Sequence, residues 1–85
     1  MYKVKVHRDV EKFLNKIPKR DAERIREKIL SLKDPFAQKP KKVEGETDVF
    51  RIRVGKYRIL FFIDEEMKTV VVSKVDRRER AYDRL

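Results

Sequence analysis

The sequence predicts an α+β fold: a small domain of order β-α-α-β-β-β, with an antiparallel helix hairpin packed on one face of an antiparallel sheet. Three observations carry the prediction. Residues 50–62, FRIRVGKYRILFF, alternate with period two on either side of a central Gly-Lys. Residues 10–32 carry apolar side chains at helical spacing, interrupted by Pro18, and residues 69–75, TVVVSKV, form a β-branched run. A chain of 85 residues reads as one domain, 1–85, and buries only somewhat more than roughly 60% of the surface its unfolded form exposes, so the core is small.

At the start of the chain, YKVKV at 2–6 alternates Tyr2, Val4 and Val6 against Lys3 and Lys5, as a half-buried strand does. Asp9 offers an N-cap, and Val10, Phe13, Leu14 and Ile17 follow at the spacing of an amphipathic helix that Pro18 ends. A second helix is predicted over about 19–32, with Ala22, Ile25, Ile29 and Leu32 on its apolar stripe, and so tight a link makes the pair an antiparallel hairpin. His7, at the strand-to-helix junction, suits a turn or cap and not catalysis. Residues 34–48, DPFAQKPKKVEGETD, have no clear period and read as a long loop anchored by Phe36 and Val43. Lys39, Lys41 and Lys42 form a basic cluster in that loop, either solvated or in contact with phosphate.

In the hairpin, Gly55 followed by Lys56 suits a two-residue type II′ turn, which sets Val54 opposite Tyr57, Arg53 opposite Arg58 and Ile52 opposite Ile59. Two guanidinium groups then face each other. Like charges across a ladder destabilise it by roughly 0.2–1 kcal/mol, so the pair is explained by an anion such as phosphate between them, or else by two solvated arginines. Parity packs Phe50, Ile52, Val54, Tyr57, Ile59 and Phe61 on the helices. It leaves Arg51, Arg53 and Arg58 on an open face with Leu60 and Phe62, which the C-terminal segment or a partner is expected to cover. Residues 64–68 turn into the valine-rich strand. The tail from 76 to 85, DRRERAYDRL, interleaves Arg77, Arg78, Arg80 and Arg84 with Tyr82, a composition that suits RNA, since guanidinium groups bind phosphates and a ring can stack on an unpaired base.

Composition narrows the function classes. With no cysteine and one histidine, disulfides and thiolate metal sites are excluded and a structural zinc site is not expected; no metal or cofactor is called for. No apolar run approaches the ~18 residues of a membrane span, and the N-terminus is a strand pattern and not a signal peptide, so the chain reads as a soluble cytoplasmic protein. A net charge of +9, from 24 Lys plus Arg against 15 Asp plus Glu, favours a polyanionic partner: nucleic acid, an acidic protein segment or an anionic membrane, the last being weakest because no helix combines a wide apolar face with an all-basic one, so no membrane partner is expected. Charged residues make up 46% of the chain and Asn15 and Gln38 are its only side-chain amides, which fits an archaeal or thermophilic source.

Taken together, the order of elements, the lysine-rich loop with its VEG, the hairpin FRIRVGKYRILFF, the valine-rich strand and the ending RRERAY resemble the RelE toxins of the RelE/ParE superfamily, across nearly the whole chain. The resemblance implies a toxin of a type II toxin-antitoxin system. It would be a ribosome-dependent, metal-independent endoribonuclease that cuts mRNA in the ribosomal A site by 2′-hydroxyl attack on the adjacent phosphate, and a cognate acidic RelB-like antitoxin would neutralise it. By position, Arg51 and Arg53 match two basic residues, often lysines, that contact RNA and contribute to proton transfer. Arg58 matches the arginine on the scissile phosphate, Arg78 or Arg80 the C-terminal arginine beside it, and Tyr82 the tyrosine that stacks on a base and assists catalysis. Lys56, Arg77, Arg80, Lys41 and Lys42 are the further RNA-binding candidates. An arginine with pKa above about 12 is a poor general base, which leaves Lys56 and Tyr82 as titratable groups near the face. Two other readings share the fold: a ParE-like toxin that acts on DNA gyrase without cutting RNA, and a module that binds RNA or ribosomes without catalysis.

Overall fold

The computed structural model of the chain describes residues 1–46 and 48–77. Its first strand, β1 (Lys3–Val6), leads through two helices, α1 (Arg8–Leu14) and α2 (Lys19–Ser31), and a one-turn 3₁₀ helix (Pro35–Gln38). Four more strands follow: β2 (Lys41–Lys42), β3 (Val49–Val54), β4 (Tyr57–Asp64) and β5 (Thr69–Arg77). They form one five-stranded sheet in the order β1-β5-β4-β3-β2. The expected antiparallel sheet is in fact mixed, because β1 runs parallel to β5, from Lys3 opposite Thr69 to Val6 opposite Val72. Side-chain alternation carries no information on strand direction. Here the helices carry the chain from β1 to the far edge, and successive antiparallel strands bring it back alongside β1.

Both helices cover one face of this sheet, α1 against β5 and α2 against β3. The core joins Val10, Leu14, Ala22, Ile25, Ile29 and Leu32 from the helical half to Ile52, Tyr57, Ile59, Phe61, Val70, Val72 and Val75 from the strands. The stripe predicted for α2 is the buried one. At the start of α1 the cap is His7 and not Asp9: His7 is extended, and its Nδ1 accepts from the Asp9 backbone N–H at 3.0 Å. Asp9 instead lies in the first turn, where an acidic group complements the helix dipole. The helix also stops at Leu14, ahead of Ile17, since a residue before proline is driven out of helical conformation and Pro18 itself caps α2 in an extended conformation.

The segment 34–48 is more ordered than a structureless loop. Pro35, not Phe36, is its buried anchor; Phe36 is 55% exposed and meets Tyr2 edge-on, with ring centroids 6.4 Å apart. Lys39, left-handed at φ 52°, turns the chain into β2, which pairs with β3 at Arg51 and Phe50. Val43 is half-buried and donates its N–H to the Val49 carbonyl at 2.9 Å.

The hairpin register is the predicted one, with Val54 opposite Tyr57, Arg53 opposite Arg58 and Ile52 opposite Ile59. Gly55 takes φ +57° while Lys56 is not among the positive-φ residues, as a type II′ turn requires. One irregularity interrupts the sheet: Phe61 pairs with Val72 but Leu60 pairs with Lys74, so Ser73 is an extra residue, a β-bulge. The Ser73 hydroxyl donates to the Leu60 carbonyl at 3.3 Å. After the bulge Val75 returns to the core, and β5 runs on to Arg77, so Asp76 and Arg77 belong to the sheet and not to a tail.

Candidate functional site

Strand parity and register arrange the open face in rows that cross the sheet. The row nearest the hairpin turn is Arg53, Arg58 and Asp76; the next is Lys41, Arg51, Leu60 and Lys74; the third is Val49, Phe62, Val71 and Lys5. The face thus grades from charged to apolar along its length. Leu60 is half-buried between Arg51 and Lys74, and Phe62 is 38% exposed in the apolar row.

Arg53 and Arg58 stand opposite each other, as side chains ~5 Å apart on adjacent strands. Arg58 also has a carboxylate of the chain beside it. Asp76, on the far side of Arg58, accepts from Arg58 Nε at 2.9 Å and from Nη2 at 3.2 Å, a side-on bidentate pair. The two side chains are 23% and 19% exposed, so solvent screens this pair less than a surface one. Asp76 is the residue the sequence reading missed. Its signal was there: apolar Val70, Val72 and Val75 break period two between 72 and 75, which is what a bulge does, and counting on from that break turns Asp76 to the open face.

Arg51 is half-buried and Arg53 exposed, and with Lys39, Lys41 and Ile52 they line a cleft of about 180 Å³ at the outer side of the sheet. Lys42, one residue along β2 from Lys41, has the opposite parity and pairs with Phe50, away from this cleft. Lys56, at the hairpin turn, borders a recess shared with Asp21, Arg24 and Tyr57 on the helix side. Arg77 also lies apart from the arginine row: it pairs with Tyr57, and its guanidinium carbon is 5.9 Å from the centre of that ring. Arg78, Arg80 and Tyr82 lie outside the described residues.

Under the turn, Tyr57 fastens the hairpin to α2. Its ring is buried edge-on to Phe13, with centroids 5.9 Å apart, and its hydroxyl donates to Asp21 Oδ2 at 3.0 Å. Burial, and then the bond to the Asp21 carboxylate, push the Tyr57 phenol above its usual value of 10.0; Arg77 opposes this. Among the described residues no group of three or more His, Cys, Asp or Glu could hold a metal ion, and no helix is long and apolar enough to cross a membrane. What the open face offers is three guanidinium groups beside an ammonium group, donors of a kind that can bind a phosphate and stabilise charge developing on it.

Residues 2–82 match the family described as the ParE toxin of type II toxin-antitoxin systems, parDE. RelE1 of Methanocaldococcus jannaschii is 29% identical over 85 residues, covering 95% of this chain and 94% of that protein. Among solved structures, a chain of the toxin-antitoxin complex RelBE2 from Mycobacterium tuberculosis superposes with a TM-score of 0.79 at 32% identity, covering 91% of this chain and 98% of that one. A chain of the archaeal RelE-RelB complex from Pyrococcus horikoshii gives 0.78 at 30% identity, with 93% and 97% covered. The chain therefore belongs to the ParE toxin family of type II toxin-antitoxin systems, within the RelE/ParE superfamily, and shares the RelE toxin fold.

Proposed function

We propose that this chain is a RelE-type toxin: a ribosome-dependent endoribonuclease that cleaves mRNA in the ribosomal A site and so inhibits translation. The observation that carries the reading is the arginine row, with Arg53 opposite Arg58 on an open sheet face and Arg51 and Lys41 in the adjoining row. Attack of a ribose 2′-hydroxyl on the neighbouring phosphate needs no metal, only alignment, stabilisation of the pentavalent phosphorane, and groups that accept and donate a proton. Arg58 would hold the scissile phosphate, and Arg51 and Arg53 would bind the RNA strand and spread the developing charge. By the family resemblance, Arg78 or Arg80 would contact the same phosphate and Tyr82 would stack on a base. An arginine stays protonated, so Arg51 and Arg53 act through charge and hydrogen bonds while the ribosome aligns the message.

The partner in this reading is an acidic RelB-like antitoxin in the same cytoplasm. It is supported by the apolar row Val49, Phe62 and Val71 on a chain of net charge +9, and by the similar chains from M. tuberculosis and P. horikoshii having been solved as toxin-antitoxin complexes. The family match, described by its ParE member, favours a second reading in which the chain acts on DNA gyrase without cutting RNA. One experiment separates the two. A reporter message is translated on purified ribosomes with the protein, its 5′ ends are mapped, and gyrase cleavage of plasmid DNA is measured in parallel. Codon-phased cuts with intact DNA are the expected result. An intact message at a protein level that binds ribosomes, together with gyrase-dependent breaks, would overturn the first reading in favour of the second.

A further inference from the structure

We propose that the cleft between β2 and β3, lined by Lys39, Lys41 and Arg51, is a second phosphate subsite, which holds a backbone phosphate of the RNA strand other than the scissile one. The inference rests on the reading of the open face as an RNA site and deepens it.

The register places a second pair of opposed cations on this face. Lys41 of β2 stands directly opposite Arg51 of β3, as Arg53 of β3 stands opposite Arg58 of β4. The two pairs differ in how their charge is met. Arg58 has the Asp76 carboxylate beside it at 2.9 Å. Among the described residues, no carboxylate forms an ion pair with Lys39, Lys41 or Arg51. Like charges directly across a ladder repel, and Arg51 is half-buried, so its charge is partly withdrawn from water with no opposite charge to offset it. An anion in the cleft relieves both.

The cleft, of about 180 Å³, lies between the two lysines and the strand segment of Arg51, Ile52 and Arg53. Lys39 enters it from the turn after the 3₁₀ helix, where its φ of 52° is a left-handed conformation ordinarily taken by glycine or asparagine. Lysines at a sheet edge also guard against pairing with another chain, and Lys41 and Lys42 are the whole of the edge strand β2. Edge protection does not account for Lys39, which precedes the strand, or for Arg51, which sits on the inner one. A guanidinium fork with two ammonium groups matches a phosphate, whose charge is spread over several oxygens. By sheet geometry the positions of Lys41 and Arg58 are two strands and two residues apart, about 12 Å. One phosphate cannot reach both. A single strand crossing the face from β4 to the β2 edge sets one phosphate at each.

RNA binding by the full chain tests this, with two fluorescent single-stranded probes of 2′-O-methyl RNA, which lacks the attacking hydroxyl: a hexanucleotide, and a dinucleotide with a single phosphodiester. Wild type, Lys39→Asn/Lys41→Gln and Lys12→Ala are titrated at several salt concentrations. Asparagine suits the left-handed backbone at position 39, and both lysines are exposed. The double variant is expected to bind the hexanucleotide about 5- to 10-fold more weakly and to lose about 0.7 from the slope of log affinity against log salt, the value of one phosphate contact on a single strand. On the dinucleotide, which fills one subsite at a time, it is expected to cost less than about 2-fold. Lys12→Ala removes an exposed cation from the helix side and is expected to leave both probes within about 2-fold of wild type. Equal losses in Lys12→Ala would reduce the cleft to diffuse charge, and an unchanged salt slope would remove the phosphate contact. An equal loss on the dinucleotide would place the lysines on the one scissile phosphate. Weaker binding of a polyglutamate peptide with RNA binding unmoved would give the cleft to an acidic protein segment. Each of these overturns the proposal, as does a wild-type chain that binds neither RNA at low salt. Should the double variant fail to fold, Lys41→Gln alone replaces it. Cleavage on ribosomes is scored separately: if wild type cuts no message the nuclease reading falls while the binding losses still decide the subsite, and if it cuts message without those losses the subsite falls alone.

Discussion

The two faces of β4 obey different rules. Tyr57, Ile59 and Phe61 point towards the helices and are all buried, Ile59 and Phe61 at 0% exposure, so that side is shaped by packing. Arg58, Leu60 and Phe62 alternate with them on the open side, where an arginine faces another arginine and a phenylalanine is left 38% exposed. Like charges across a ladder and a wet aromatic ring both go against the fold, the first offset in part by the Asp76 carboxylate on Arg58. The difference separates residues that hold the protein together from residues that meet something else. It also gives the comparison a measurable form: substitutions on the helix side should move stability, and those on the open side should move activity.

The largest expected effect is on the helix side. Phe61→Ala should destabilise the protein by about 3–5 kcal/mol in urea unfolding, whereas Phe62→Ala, on a partly wet ring, should cost less than about 1 kcal/mol; equal losses would break the contrast. Next is Arg58→Ala, expected to lower ribosome-dependent cleavage by about 10²–10³-fold, the scale of removing one donor that stabilises transition-state charge. Tyr57→Phe is a smaller change. It leaves Asp21 without its donor and should cost about 1–2 kcal/mol by the same unfolding measurement, with the hairpin turn less firmly held.

The smallest effect is one of pH. The folded Tyr57 phenol is raised above its usual 10.0, so at alkaline pH the unfolded chain loses that proton first. The stabilisation is complete below pH ~10 and is lost as pH rises through the raised folded value. Tyr2 is raised as well, by its hydrogen bond to Glu65, and is common to both proteins, so the stability difference between wild type and Tyr57→Phe isolates the Tyr57 contribution. That difference should shrink above pH 10, and a difference independent of pH would contradict the assignment.

How much of this was legible in the sequence depends on which signal each element leaves. The hairpin register was fully readable, because Gly55 fixes the turn and period two fixes the faces. The buried stripe of α2 was readable from Ala22, Ile25, Ile29 and Leu32. The parallel pairing of β1 was not, since Tyr2, Val4 and Val6 give a face and no direction. Nor was Pro35 as the loop's anchor, because hydrophobicity favours Phe36 while the 3₁₀ turn buries the ring before it. The site was half legible. Arg53 and Arg58 were placed by the hairpin alone, but Asp76 depended on a bulge whose only trace is the three-residue step from Val72 to Val75. The hairpin alone did not show that a carboxylate holds Arg58 from the side away from Arg53.

The most direct measurement of the central claim, that the arginine row is where the phosphate is held during cleavage, is single-turnover cutting of a ribosome-bound message. Wild type, Arg58→Ala and Lys12→Ala would be compared at equal occupancy of the ribosome, Lys12 being an exposed cation on the helix side of the molecule. Codon-phased cleavage is expected to fall by about 100-fold or more in Arg58→Ala and to stay within about 2-fold in Lys12→Ala. Equal rates for all three proteins, or the same loss in both variants, would contradict that claim.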